Sequence, residues 1–226
     1  MASLLFGTNT RVRAVLRAIQ VWLVIAILSL GWGSIAGTDD YQNRNWVFAI
    51  SCWLVLDLYW GWAARRAGSA ATGRPKWGTL SVTFLIYALY CLPLGSVPLL
   101  GLRVVPRIPT IQTLGVLMCV LGIGFAIWSR HILAGSWNAA VTRNKNQSLV
   151  QRGPYAMVRH PIYFGLLVAV LGMILALGEV RAFALLAGVQ ILLRKMGQEE
   201  RVLRSAFPNE YPAYEKRVKR LLPWVW

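Results

Sequence analysis

The chain has 226 residues, of which 57% are hydrophobic and only 14% charged, with a formal net charge of +16. That composition excludes an ordinary soluble domain and points to an integral membrane protein built from helices. The excess charge would suit nucleic acid in a soluble chain, but here it is distributed between long apolar runs, which argues against that partner.

Residues 14–34, 46–64, 78–101 and 110–129 are each long and apolar enough to cross a hydrocarbon core, at about 20 residues per helical crossing. The first run is longer than the core of a signal peptide, and no small-residue cleavage site precedes Asp39. In the second, Trp46, Trp53 and Trp60 recur every seventh residue, a spacing that favours a packing and anchoring stripe over a ligand cage. Asp57, in the same run, is open to a functional or a structural reading. Pro93 and Pro98, near Gly95, predict a kink or an early exit in the third run. Cys52, Cys91 and Cys119 lack metal or redox spacing and read as small buried apolar residues. His131, just past the fourth run, has no partners for a metal site and reads as an interfacial polar residue.

A fifth apolar region, 161–193, is too long for one ordinary span and is broken by Gly178-Glu179-Val180-Arg181. It predicts a hairpin of two helices, 161–177 and 182–193 or a little beyond. The fold expected is all-α and polytopic: a four-span scaffold in 1–130, then a catalytic region in 131–226 with loops, the hairpin and an amphipathic tail. Basic residues concentrate at alternate connections. The N-terminal segment carries Arg11, Arg13 and Arg17, Arg65, Arg66, Arg74 and Lys76 follow the second run, and Arg130, Arg143, Lys145, Arg152 and Arg159 follow the fourth. By the positive-inside rule the N-terminus and the C-terminal half face the cytoplasm. Tyr211, Tyr214, Trp224 and Trp226, mixed with Lys216, Arg217, Lys219 and Arg220, favour an interfacial tail.

The densest polar cluster runs from Arg152 to Gly165 and is answered downstream by Glu199-Glu200. Gly153 can take unusual dihedrals, Pro154 can fix a turn, and Pro161 suits the first turn of a helix. His160 and Tyr163 then stand at a helix mouth, beside unpaired backbone N–H groups. If the hairpin closes, the imidazole meets the carboxylates. On the residues alone two readings stay open: a site, or a helix start with a solvated charge face such as Glu200 with Arg204.

The order of elements in 130–226 resembles the isoprenylcysteine carboxyl methyltransferase family and the related phospholipid methyltransferases, most of all their bacterial branch. The matching residues are Ser148-Leu149-Val150, Gly153-Pro154-Tyr155, Arg159-His160-Pro161, Tyr163 and Gly165. They continue with Glu199-Glu200, Leu203, Phe207, Glu210-Tyr211, Tyr214 and the basic stretch before Leu222-Pro223. The resemblance implies an integral membrane methyltransferase of the bacterial inner membrane that uses S-adenosyl-L-methionine without a Rossmann domain. The sequence likewise has no βαβ pattern and no glycine-rich dinucleotide loop.

It further implies cofactor contacts from Gln147, Ser148, Leu149, Val150, Tyr155, His160, Pro161, Ile162, Tyr163, Glu199 and Glu200. Lys195, with Arg194 beside it, would orient the acceptor. Three positions depart from the family pattern: Gln147 where histidine is common, Phe207-Pro208-Asn209 for Phe-Gly-Glu, and Lys195 for arginine. Lysine lacks the planar two-point grip on a carboxylate. The acceptor expected is lipidic or prenylated, methylated at a carboxylate oxygen. Alternatives are N-methylation of a lipid head group, a sterol-type membrane reductase, and a non-catalytic membrane protein.

Overall fold

The structure, a computed structural model, describes residues 41–66, 98–133 and 149–223. Its elements are α1 (Tyr41–Arg66), α2 (Pro109–Leu133), α3 (Pro154–Met157), α4 (Pro161–Leu177), a 3-10 turn (Val180–Ala184), α5 (Leu185–Ala206) and α6 (Tyr211–Arg217). Among the described residues there is no strand, only the isolated bridges Arg103–Glu179 and Val158–Lys219. The all-helical expectation therefore holds for them. One helix, α2, is long and apolar enough to cross a membrane, and Phe48–Ala63 and Pro161–Leu177 are shorter apolar helices.

The predicted second and fourth runs are α1 and α2. The first run, and the third up to residue 97, lie outside the described residues. Pro98 to Gly101 form a turn, so the third run ends before the predicted residue 101, at the exit its prolines announce.

The hairpin divides where its polar break predicts. Gly178 closes α4 with φ 70°, and its N–H donates to the Ile174 carbonyl at 2.8 Å. That left-handed conformation favours glycine. Arg103 donates from Nη1 to the Leu177 carbonyl at 3.1 Å, serving a helix end rich in unpaired acceptors. The second helix starts later than expected, at Leu185 after the 3-10 turn, and runs on to Ala206 without a break at Arg194-Lys195.

The closest packing joins α2 to α4. Gly115, Cys119, Gly122 and Ala126 face Gly165, Ala169, Gly172 and Ala176 in alternating steps of four and three residues. A Cβ on Gly115 would meet Ala176 N and Gly172 O at 2.6 Å, and one on Gly122 would meet Gly165 O at 2.5 Å. The backbones thus touch, with Cys119 Sγ donating to the Ala169 carbonyl at 3.2 Å. Small residues are what let membrane helices approach this closely, where lipid provides little hydrophobic drive. Around this seam lies a core that includes Ile50, Trp53, Leu56, Ile123, Met173 and Ile174. Trp53 is buried in it and Trp60 packs against it, so the described part of the tryptophan stripe is packing. Asp57 is half-buried and engaged with neighbouring groups. His131 is exposed at the end of α2.

Because the seam has no room for a methyl group, Gly122→Ala should destabilise the protein by about 1–3 kcal/mol, the usual range for overpacking. Gly124→Ala on the same helix, with nothing within 4 Å among the described residues, should change stability by less than about 0.5 kcal/mol. Thermal unfolding of the two variants in one detergent checks this.

Candidate functional site

The site forms where α4 begins, and a chain of backbone constraints places it. Gly153 turns with φ 60°, Pro154 opens α3, and Tyr155 is buried behind it. Pro161 then occupies the first turn of α4, fully buried, and His160 precedes it without a side-chain cap. The stretch between is pinned by the C-terminal segment. Arg159 N donates to the Lys219 carbonyl at 2.8 Å, and His160 N to the Arg220 carbonyl at 3.0 Å.

On α5, Glu199 and Glu200 are neighbours and so face different directions, about 100° apart. Glu200 points into protein. Its Oε1 accepts from His160 Nε2 at 3.1 Å and is ion-paired with Arg159 Nη2 and Arg220 Nε, each at 3.2 Å. An ionised carboxylate only accepts, so Nε2 carries the hydrogen of its bond. Glu199 stays partly exposed; its Oε1 accepts the Tyr163 hydroxyl at 2.6 Å, and its Oε2 lies 3.7 Å from His160 Nδ1. The imidazole therefore stands between the two carboxylates. Lys195, one turn before Glu199, has its ammonium 5.9 Å from the Tyr163 ring centroid, within cation–π reach.

The expected residues divide clearly. His160, Pro161, Tyr163, Glu199, Glu200 and Lys195 come together, with Ile162 half-buried in the first turn of α4. Leu149 packs on Phe207, Tyr211, Tyr214 and Val218, and Val150 beside it is half-buried. Tyr155 accepts at its carbonyl from the Tyr214 hydroxyl at 2.7 Å. Burial, and after it the Glu199 charge, push its phenol above the ordinary value, so it stays protonated. Arg194 is exposed and takes no part in the cluster. Gln147 and Ser148 lie outside the described residues.

Two expectations need correction. Arg204 does not pair with Glu200 but with Glu215, through Nε at 3.0 Å and Nη2 at 2.6 Å. Glu200 is already surrounded by buried cations, so the helical neighbour turns to the next carboxylate. Nor are Tyr211 and Tyr214 interfacial anchors. Both are buried with Phe207 and Val218, and α6 covers the turn before α4. Trp224 and Trp226 lie outside the described residues.

Glu215 and Arg220 were missed by sequence reasoning. Glu215 ties Arg159 Nη1, at 3.0 Å, to Arg204. The signal available was Tyr211 and Tyr214 at helical spacing, which marks a buried face and sets Glu215 beside it. Among the described residues, no group of three or more His, Cys, Asp or Glu could hold a metal ion.

Residues 110–210 match the phospholipid methyltransferase family, and this region holds α2, the site's first turn and both glutamates. The cobalt-zinc-cadmium resistance protein CzcN of Cupriavidus metallidurans is 32% identical over 128 residues, 54% of this chain and 52% of that protein. The protein-S-isoprenylcysteine O-methyltransferase of Schizosaccharomyces pombe is 35% identical over 97 residues, 42% of this chain and 39% of that enzyme. The chain thus spans about half or less of the curated relatives it matches. In fold it is similar to the eukaryotic intramembrane Ras methyltransferase ICMT (isoprenylcysteine carboxyl methyltransferase), with TM-score 0.60 at 17% identity, over 96% of this chain and 88% of that one. The family match covers less than half of the chain, and the likeness to the intramembrane enzyme is one of helical fold. The matched stretches are similar in sequence to those proteins, and the chain as a whole shares the fold.

The buried charge cluster is acid-sensitive. Burial opposes charge on Glu200, yet the His160 hydrogen bond with the Arg159 and Arg220 charges outweighs it and holds the carboxyl below its ordinary 4.5. The Arg204 hydrogen bond does the same for Glu215, against a smaller effect of burial. A depressed folded value means that the stabilisation is complete above pH 4.5 and is lost as pH falls through the lower folded values. Glu200→Gln should therefore cost about 2–3 kcal/mol at neutral pH and flatten the acid limb of stability against pH. Unfolding measured between pH 7 and pH 3 checks both the size and the slope.

Proposed function

We propose that the protein transfers a methyl group from S-adenosylmethionine to the carboxylate of a lipidic or prenylated acceptor. The observation that carries this reading is the partly exposed Glu199, oriented by the Tyr163 hydroxyl at 2.6 Å, beside His160 and in front of Lys195. The donor set fits the cofactor. Glu199 offers an anion to an ammonium or a ribose diol, and the first turn of α4, uncapped by His160, offers N–H groups to a carboxylate. Leu149, Val150 and Tyr155, with Gln147 and Ser148 before them, would complete the contacts, and Glu200 would act through His160.

Bound there, S-adenosylmethionine supplies an electrophilic methyl group on a sulfonium. In-line displacement asks the protein mainly for position and charge complementarity. Lys195, with Arg194 beside it, would hold the acceptor carboxylate as a point charge. A carboxylate is already a nucleophile and needs no base, whereas an ammonium head group must first lose a proton. With Nε2 donating to Glu200, the basic nitrogen of His160 is Nδ1. In this reading the residue is a cofactor contact and not a base, which favours O-methylation over N-methylation.

In the same reading, residues 1–130 are a membrane scaffold and 131–226 the catalytic region, in the bacterial inner membrane. The site faces the cytoplasm, from which the cofactor arrives, while the acceptor enters sideways between helices.

Transfer of labelled methyl from S-adenosylmethionine to a farnesylcysteine derivative with a free carboxylate, by purified protein, tests the acceptor chemistry. Treatment with base should release the label as volatile methanol, the behaviour of a methyl ester. Label that stays non-volatile, as in an N-methyl amine, contradicts O-methylation. Lys195→Ala should raise KM for the acceptor about tenfold or more, with little change in that for the cofactor.

A further inference from the structure

Behind Glu200, on the side away from Tyr163, lies a crevice of about 430 Å³. Arg159, Arg204, Lys219 and Arg220 line it together with Glu200 and Glu215. Four positive charges against two negative ones leave it two positive charges in excess. Both carboxylates are already committed: Glu200 to Arg159 and Arg220, and Glu215 to Arg159 and to Nε and Nη2 of Arg204. They shape the arginines without neutralising the crevice. Arg204 and Lys219 are exposed at its edge, and Arg204, which holds Glu215 through Nε and Nη2, keeps Nη1 for an incoming anion.

The position of the crevice is as telling as its charge. Lys219 and Arg220 are held by backbone hydrogen bonds to Arg159 and His160, the residues immediately before the apolar helix α4. The crevice therefore sits at the level where α4 enters its apolar stretch, which in a bilayer is the head-group layer. Glu199, Tyr163 and Lys195 do not line it. Glu200 is the wall between it and the candidate cofactor site.

We propose that this crevice binds a phosphate group, carried by an anionic phospholipid head group or by a soluble phosphorylated molecule. Planar guanidinium groups pair with phosphate oxygens in two-point fashion, and an ammonium beside them adds a point charge. Occupancy would draw Lys219 and Arg220 together with Arg204, and so hold the C-terminal segment against α5 and the start of α4.

The full chain in neutral detergent can be titrated with dihexanoylphosphatidylglycerol, with dihexanoylphosphatidylcholine, and with inorganic phosphate. The anionic lipid or inorganic phosphate should bind saturably, and about tenfold or more tighter than the zwitterionic lipid. Preference for the lipid assigns the source to the membrane, and equal or tighter binding of inorganic phosphate assigns it to a soluble molecule; either result sustains the site. Lys219→Gln should weaken anion binding about fivefold, the effect of one basic side chain near a charged surface. Lys216→Gln, also exposed but outside the crevice, should weaken it less than about twofold. No preference for either anion over the zwitterionic lipid overturns the proposal. An equal loss in Lys216→Gln and Lys219→Gln also overturns it, because the binding would then belong to a diffuse basic face.

Discussion

A carboxylate almost out of reach of water is expensive unless charge and hydrogen bonds surround it, and Glu200 meets that demand with three partners on one oxygen. Each partner comes from a segment that must be held still. Arg159 and His160 start α4, Arg220 belongs to the C-terminal segment, and Glu200 itself fixes the turn of α5. Removing any one would leave the others buried with unbalanced charge. The cluster therefore locks the helical hairpin to the segment that covers it. That lock sets its neighbour Glu199 outward, toward Tyr163 and the partly open side.

The lock works only on a rigid base. The seam of α2 and α4 brings backbone against backbone at Gly115, Gly122, Gly165 and Gly172, which leaves α4 little freedom to slide or turn. His160 and Tyr163 lie at the first turn of that same helix. Positions in the apolar seam thus govern the geometry of polar groups at its end. At the opposite end, Gly178 and Arg103 close the helix and return the chain toward α5.

Much of this was legible in the sequence, and what was not has a physical reason. The hairpin break was visible because a glycine and charges interrupt an apolar run, and Pro161 announced the start of α4. The convergence of His160 with the two glutamates followed from closing that hairpin. The division of labour between Glu199 and Glu200 did not, because adjacent helical residues differ only in facing, which depends on packing. The pairing of Arg204 with Glu215 was hidden for the same reason: an i,i+4 rule knows nothing of a carboxylate already surrounded. Tyr211 and Tyr214 looked like interfacial residues because their burial requires Leu149 and the Tyr155 carbonyl, which are distant in sequence. The small-residue seam was present at regular spacing on both helices, but small residues carry no hydrophobic signal of their own.

The central claim is that Glu199, turned outward by the lock on Glu200, contacts S-adenosylmethionine. Calorimetric titration of the purified full chain in detergent with S-adenosylmethionine tests it without any acceptor. Saturable binding by the native protein is predicted, with loss of at least about tenfold in affinity for Glu199→Ala, in keeping with a charge-assisted contact, and a loss for His160→Ala as well. Absence of saturable binding, or binding that both substitutions leave unchanged, would contradict it.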